Sequence, residues 1–371
     1  MKPVNFFALV VFGFAGHPVS AQQTYQNEPL ILAGKPIADI ARGSEWQVGR
    51  WTISPQIPHD SLSFPVYSGS EAFGFRTDKD SILFRIRAGE TKSFYVKLGD
   101  QAPAHTVITG IAYSWDKLVY GNAPGRTDLK IRYEQTRNGY FDTLRQLYPL
   151  KAYTSKDHTD TEKILSILNW THLQWKHDGS NSPKGTDAIS ILAEVRDGGR
   201  FPCFAYAIVL RDQLIANGYK ARVLYLKTKD AETRQGSPGH VVTEVYVNDL
   251  KKWAFVDGQF NVMPMLEGKP LNAVEFQQAL SSRFDEVVMA SRQEVSKNGY
   301  TDFVYDYLYY FDTALDQRRL PANEKITVDN KRSVMLVPEG AKGLTKINFW
   351  NSTVDYCVYT WSLNDFYAVP D

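Results

Sequence analysis

The stretch of sequence that decides the fold is GHVVTEVYVNDLKKWAFVD, residues 239–257. It contains two runs rich in β-branched and aromatic residues, separated by the polar pair Asn248-Asp249. This pattern predicts two antiparallel strands joined by a tight turn. Because antiparallel pairing brings the start of one strand beside the end of the next, we expect His240 and Asp257 to be neighbours.

The residues before these two strands are predicted to form three helices and a further strand. Apolar residues in Thr161–Trp170 recur on one helical face, and Asp187 is a suitable N-cap for a second short helix. Pro202 opens a third helix, Gly218 ends it, and Ala221–Leu226 follows as a strand. The order of elements predicts an α+β domain in which the third helix packs on an antiparallel sheet.

The flanking regions are predicted to be rich in strands. We expect an N-terminal β-sandwich at residues 22–115, in which Ser81–Arg87 and Ser93–Leu98 form a hairpin across a Gly-containing turn. The central domain would span residues 116–320. A C-terminal β region, residues 321–371, would either complete the central sheet or stand alone.

The first residues have the features of a secretory signal. Lys2 supplies a positive start, Val4–Ala15 is mainly apolar, and Val19-Ser20-Ala21 offers small residues for cleavage after Ala21. An uncleaved anchor is the alternative, although the apolar run is short for a membrane span. Since no cysteine lies near the cut, we do not expect a lipid-anchored form. Residues 1–21 thus predict a secreted, periplasmic or cell-surface protein.

The charge balance argues against nucleic acid as a partner. Once Lys2 is removed with the signal, 41 basic residues face 41 acidic ones. A nucleic-acid-binding protein would normally show a basic excess. No later stretch is apolar enough to span a bilayer, so no integral membrane segment is expected after cleavage.

Three residues have the order and setting of a catalytic group. Cys203 lies at the start of the third helix, where unpaired N–H groups and the helix dipole favour a thiolate and can hold an oxyanion. His240 can carry the proton, and Asp257 can orient the imidazole. Nucleophile, base and orienting carboxylate are the parts of a cysteine-dependent acyl-transfer enzyme.

The region from Ile164 to Asp257 resembles the transglutaminase-like, papain-type thiol proteins. The resemblance lies in Gly199 and in the segments 203–207, 218–223, 239–245 and 252–257, with Cys, His and Asp in the family's order. This chain has Val242 and Gly258 where the family commonly has tryptophan and proline. The resemblance also implies a second oxyanion donor upstream of the cysteine, for which Gln174 and Trp175 are candidates.

The resemblance implies attack on an amide through a thioester, which water or an amine then releases. Water would make the protein a peptidase or amidase, and an amine would make it a crosslinking enzyme. The polar loop Lys227–Pro238 shows no second substrate site, which favours hydrolysis of a peptide, protein or cell-wall-like amide. No cofactor is implied, because a thiol–imidazole pair works unaided, and His172 and His177 are poorly spaced for a metal site.

Two other interpretations remain open. A catalytically inactive binding protein for a glycan or polypeptide would account for Val242, Gly258 and the β-rich flanks. A structural surface protein would bury an inert Cys203. Cys357 is expected to be a buried strand residue; a disulfide between it and Cys203 is the alternative, and would remove the nucleophile.

Overall fold

The computed structural model describes residues 23–42, 45–122, 126–349 and 352–370. The chain divides into two compact units, Met1–Tyr113 and Ser114–Asp371. The predicted signal peptide, residues 1–21, lies outside the described residues. Mixed helix and strand content, with a helical centre and strand-rich ends, confirms the predicted α+β class.

The first unit is a β-sandwich. One sheet has the order β1-β2-β8-β9-β5 and the other β4-β3-β6-β7, and buried rings such as Phe75 and Phe94 fill the space between them. The strands are β1 (Thr24–Tyr25), β2 (Glu28–Ala33), β3 (Ile37–Arg42), β4 (Glu45–Thr52), β5 (Asp60–Val66), β6 (Ser70–Arg76), β7 (Ser81–Arg87), β8 (Thr91–Leu98) and β9 (Ala104–Ala112).

The hairpin predicted from β7 and β8 is wrong. β7 pairs with β6 in one sheet, whereas β8 pairs with β2 and β9 in the other. Phe84 of β7 and Phe94 of β8 meet edge to face within the core, with centroids 6.4 Å apart. The alternation of apolar and polar residues indicates which side of each strand is buried. It does not distinguish a turn within one sheet from a turn that carries the chain to the other sheet.

The second unit packs helices on a six-stranded sheet of order β12-β11-β10-β16-β17-β20. The helices are α1 (Gly139–Leu147), α2 (Lys151–Thr154), α3 (Asp160–His172), α4 (Ala188–Arg196), α5 (Cys203–Ala216), α6 (Ala273–Arg283), α7 (Lys297–Val304) and α8 (Leu363–Phe366). The strands are β10 (Ala221–Lys227), β11 (Gly239–Val247), β12 (Lys252–Val256), β13 (Met263–Leu266), β14 (Lys269–Pro270), β15 (Val288–Ala290), β16 (Tyr310–Ala314), β17 (Ser333–Leu336), β18 (Ile347–Phe349), β19 (Ser352–Val354) and β20 (Cys357–Thr360). Within the described ranges, no helix is both long and apolar enough to cross a membrane.

The strands after residue 330 extend this central sheet. β17 pairs antiparallel with β16, and β20 joins β17 in parallel. β18 and β19 form a separate two-stranded ribbon, and Ile347 and Val354 from it pack in one cluster with Met335 and Cys357 of the sheet. The last part of the chain therefore builds one side of the central unit.

Local sequence signals explain the helices that position the site. The Asp187 side chain accepts a hydrogen bond from the Ser190 N–H and caps α4, as predicted. Pro202 is the N-cap of α5, so Cys203 is its first residue. α5 is buried along most of its length, and its centre packs on β11, where the Thr243 hydroxyl donates to the Ala207 carbonyl over 3.0 Å.

A fully buried ion pair joins β10, β11 and the C-terminal segment. The Arg222 guanidinium donates to Glu244 Oε2 over 3.0 and 2.7 Å, and to the Phe366 carbonyl over 2.7 Å. Glu244 Oε1 accepts from the Ala273 N–H and the Tyr367 hydroxyl, each over 3.0 Å. Both charges are inaccessible to solvent, so each depends on its partners for solvation.

We expect Arg222→Met to lower the free energy of unfolding by about 3–5 kcal/mol, because Glu244 would stay buried without its cation. Urea unfolding followed by tryptophan fluorescence measures the change. The double variant Arg222→Met/Glu244→Gln should recover part of the loss, and Arg283→Met, which breaks exposed pairs, should cost under about 1 kcal/mol. A loss for Arg222→Met as small as that of Arg283→Met would contradict this.

Candidate active site

Cys203 is held at the start of α5 by contacts to the chain on both sides of it. The Trp175 indole N–H donates to the Phe201 carbonyl over 3.1 Å, and the Tyr206 hydroxyl donates to the Trp175 carbonyl over 2.7 Å. The Trp175 and Tyr206 rings stack with centroids 4.1 Å apart. These buried contacts fix the entry into α5, and Cys203 itself is half-buried.

His240 and Asp257 lie together where β11 begins and β12 has just ended. The strands pair with Thr243 opposite Val256, which is the antiparallel arrangement expected from the sequence. His240 Nε2 is 2.7 Å from Asp257 Oδ2, and both side chains are buried. Because a carboxylate accepts, Nε2 carries the proton in this bond and Nδ1 is left to face another group.

The Asp257 carboxylate accepts four hydrogen bonds from residues that the structure describes. Oδ2 accepts from His240 and from the Tyr300 hydroxyl, the latter over 2.8 Å. Oδ1 accepts from the Gln259 and Phe260 N–H groups over 2.9 and 3.2 Å. Since each oxygen has two donors, the carboxylate cannot rotate without losing partners, and it holds the imidazole in one orientation.

The environment of His240 favours the imidazolium. Burial acts to lower its pKa, but the charge and hydrogen bond of Asp257 outweigh burial, and interaction with the Cys203 side chain adds to them, so the pKa rises to about 9. The sulfur and the imidazole are therefore close enough to interact.

Aromatic side chains from a later segment surround the imidazole. The Phe303 ring meets it edge to face at 5.0 Å, and Phe260 and Tyr307 lie 6.2 and 5.9 Å away. Sequence analysis missed Tyr300, Phe303 and Tyr307. Their spacing of three and four residues marks one helical face, but nothing local indicates that this face packs on His240.

The two candidates for a second oxyanion donor are engaged elsewhere. The single N–H of Trp175 is used by the Phe201 carbonyl. The Gln174 amide donates to the Trp170 carbonyl over 2.7 Å, which leaves one further N–H on this amide.

The two histidines before α4 are engaged in other ways. His172 Nδ1 donates to the Gly258 carbonyl over 3.3 Å. Burial, followed by the nearby charge of His240, lowers the pKa of His177.

A cleft of about 740 Å³ opens beside His240. Phe204 of α5, Tyr225 and Lys227 of β10, and the region around β18 and β19 line it. A Cβ on Gly239 would lie 2.8 Å from Phe349 Cζ, so the ring lies directly over the residue next to His240. The C-terminal strands therefore form the wall of the cleft opposite α5.

The two cysteines differ in their surroundings. Both are free thiols in this structure. Cys357 is buried in β20, and burial raises the pKa of its thiol. Cys203 is half-buried and adjoins an imidazole. Among the described residues, no group of three or more His, Cys, Asp or Glu side chains is arranged to hold a metal ion.

Residues 150–258 match the family model described as the transglutaminase-like superfamily. This match confirms the resemblance found in the sequence. His240 and Asp257 lie at the end of the matched region, and Cys203 lies near its middle. No curated protein matches the chain.

Three solved structures are similar to parts of the chain. A candidate cysteine protease from Cytophaga hutchinsonii has 14% identity and a TM-score of 0.27, covering 47% of this chain and 56% of that one. Legionella pneumophila LapG, in an EGTA-treated form, has 16% identity and a TM-score of 0.24, covering 45% of this chain and 95% of its own. A candidate protease from Parabacteroides distasonis has 11% identity and a TM-score of 0.23, covering 70% and 43%. The chain thus spans little more than half the length of the Cytophaga protein.

We expect Asp257→Asn to lower the pKa of His240 well below its wild-type value of about 9, because only the interaction with Cys203 would then oppose burial. Histidine ¹³C NMR across pH measures the shift, with the exposed Asp197→Asn as the matched control. The stability that the wild-type pair contributes should be fully present below about pH 6.5 and lost as the pH rises through about 9. An unchanged His240 titration in Asp257→Asn would contradict the assignment.

Proposed function

Because residues 150–258 form a transglutaminase-like domain, we propose that the chain is a cysteine-dependent acyl-transfer enzyme that uses Cys203, His240 and Asp257. The observation that carries the proposal is the buried His240–Asp257 hydrogen bond of 2.7 Å, with Cys203 beside the same imidazole at the start of α5. This arrangement supports the proposal because the reaction needs a nucleophile, a proton carrier and an orienting carboxylate close together.

In the proposed reaction, the Cys203 thiolate attacks the carbonyl carbon of an amide. The carbonyl oxygen takes up the negative charge beside the main-chain N–H of Cys203, at the start of α5. His240 gives its proton to the leaving nitrogen as the C–N bond breaks, and a thioester remains. The neutral imidazole then removes a proton from water, which attacks the thioester and regenerates the thiolate.

Asp257 acts on the imidazole throughout this cycle. Its bond to Nε2 leaves Nδ1 available to take the thiol proton, and its charge favours the imidazolium that then forms. The donors on both carboxylate oxygens keep that orientation fixed. The aromatic rings around His240 keep water away from the ring and so strengthen the electrostatic interactions.

We propose hydrolysis as the outcome, with a peptide, protein or cell-wall-like amide as substrate. The cleft beside His240 has room for several residues of an extended chain, and its lining of aromatic and polar side chains suits a polypeptide. The signal features of residues 1–21 support export, so that the substrate would be met outside the cytoplasm.

We expect Cys203→Ala to reduce turnover of a peptide substrate by at least about 10³-fold, because the nucleophile is lost. The melting temperature should stay nearly unchanged, since the side chain is only half-buried. Cys357→Ala is the matched control: it should keep activity and lower stability, because that thiol is buried. Activity retained in Cys203→Ala would refute the proposal, whereas stable, unreactive wild-type protein with no turnover would favour the binding-protein alternative.

We expect kcat/KM to fall as the pH rises above about 9, because the His240 imidazolium then loses the proton that the leaving nitrogen needs. A pH–rate profile of the wild-type protein tests this, with circular dichroism at each pH to exclude unfolding. In Asp257→Asn the descending limb should move to lower pH along with the His240 pKa. A wild-type profile that already falls near pH 6.5 would contradict the role given to the imidazolium.

A further inference from the structure

The cleft that opens beside His240 leads to two cations that no carboxylate neutralises. Arg332 lines this cleft and also lines a smaller pocket of about 300 Å³, together with Lys325. The two cavities share Tyr225, Arg332 and Tyr356, so the second adjoins the first. Among the described residues, neither Arg332 nor Lys325 has a carboxylate within ion-pair distance.

Two of the three carboxylates near these two cations already have partners. Asp312 forms a buried ion pair with Lys227, which places one neutral pair at the base of the cleft. Asp316 accepts from the Arg318 guanidinium over 2.7 Å and from the Ile326 N–H over 3.1 Å. Asp355, on the cleft wall, is exposed to water. The end of the cleft distant from His240 therefore keeps an excess of positive charge.

Arg332 is exposed but ordered by its neighbours. Its guanidinium carbon lies 4.4 Å from the centre of the Tyr356 ring. Stacking on an aromatic face fixes the plane of the guanidinium without using its N–H donors. The Arg332 main-chain N–H also donates to the Tyr356 carbonyl over 3.1 Å. A planar fork of donors, held in place and facing a cavity, suits a carboxylate, which it can bind through two parallel hydrogen bonds.

We propose that Arg332, supported by Lys325, binds a carboxylate of the polypeptide substrate. The attacked amide would lie at Cys203, and the carboxylate would lie a fixed number of residues along the chain, as an acidic side chain or as the chain terminus. This inference rests on the proposed function for the position of the attacked bond. It adds a substrate class: polypeptides with a negative charge at one defined position.

Affinity labels that alkylate Cys203 test the proposal without requiring turnover. The probes are bromoacetyl peptides with one to five alanines, in three series. Two acidic series end in a glutamate amide or in alanine with a free carboxylate, and the neutral series ends in a glutamine amide. At one length, we expect an acidic probe to label the wild-type protein about tenfold faster than its glutamine counterpart. The glutamate and free-carboxylate series distinguish a side chain from a chain terminus as the source of the charge.

The matched variants assign the preference to one side chain. Arg332→Gln should reduce the acidic-to-neutral ratio to about one, and Arg332→Lys should give an intermediate ratio because it keeps the charge and loses the fork. Arg196→Gln, an exposed arginine on α4, removes the same charge elsewhere and should leave the ratio unchanged. A ratio near one at every length, or a ratio that survives Arg332→Gln, would overturn the proposal.

A second measurement separates this proposal from that of the catalytic site. Fluorescein-labelled acetyl peptides of the same series can be bound to Cys203→Ala and followed by anisotropy. Tighter binding of the acidic peptides, lost in Cys203→Ala/Arg332→Gln, would support the carboxylate site even if Cys203 proved unreactive. Equal binding of acidic and neutral peptides would refute the site even if the enzyme cleaved amides.

Discussion

The arrangement of the site depends on one buried carboxylate. Asp257 brings together the end of β12, the first residues of β11 and helix α7, because His240 and the Tyr300 hydroxyl share its Oδ2. A buried charge is tolerated only when donors replace the water it has lost. The main-chain N–H groups of Gln259 and Phe260 supply the rest of that solvation, so the turn after β12 is part of the site as well as part of the fold.

Local patterns predicted the parts of the site that lie close together along the chain. A few neighbouring residues predict each of three features: the β11–β12 pairing, the cap at Asp187 and the start of α5 at Pro202. A capping box formed by Asn272 and Glu275 likewise fixes the start of α6, which continues to Arg283. Caps and turns depend on hydrogen bonds between neighbouring residues, whereas the length of a helix depends on its packing against the rest of the protein.

The parts that sequence analysis missed depend on contacts between distant segments. Tyr300 lies 43 residues beyond Asp257, and nothing near it indicates a carboxylate partner. The pattern of β7 and β8 predicts one hairpin because the alternation of apolar and polar residues identifies the buried face of a strand but not the strand it pairs with. The same limit applies to β20, whose parallel pairing with β17 brings together strands separated by a two-stranded ribbon.

The two departures from the family pattern differ in their structural consequences. Val242 is fully buried in β11, so the change from tryptophan lies in the core of this protein. Gly258 lies against α5, where an added Cβ would come within 3.2 Å of Tyr206 Cβ, and its carbonyl accepts from His172. Gly258 thus concerns the packing of the turn after β12 against α5, whereas the region around Arg332 shapes the far end of the cleft.

The contribution of the last strands to the cleft has a consequence for how the protein is made. A ribosome delivers Cys203, His240 and Asp257 well before Arg332, Tyr356 and Phe366, whose carbonyl closes the contact to Arg222. A chain that ends before these residues would therefore contain Cys203 and His240 but would lack the cleft wall opposite α5. It would also lack the hydrogen bond from Arg222 to the Phe366 carbonyl. Vectorial synthesis alone would delay completion of the cleft and of the Arg222 contact until residues 332–366 have emerged.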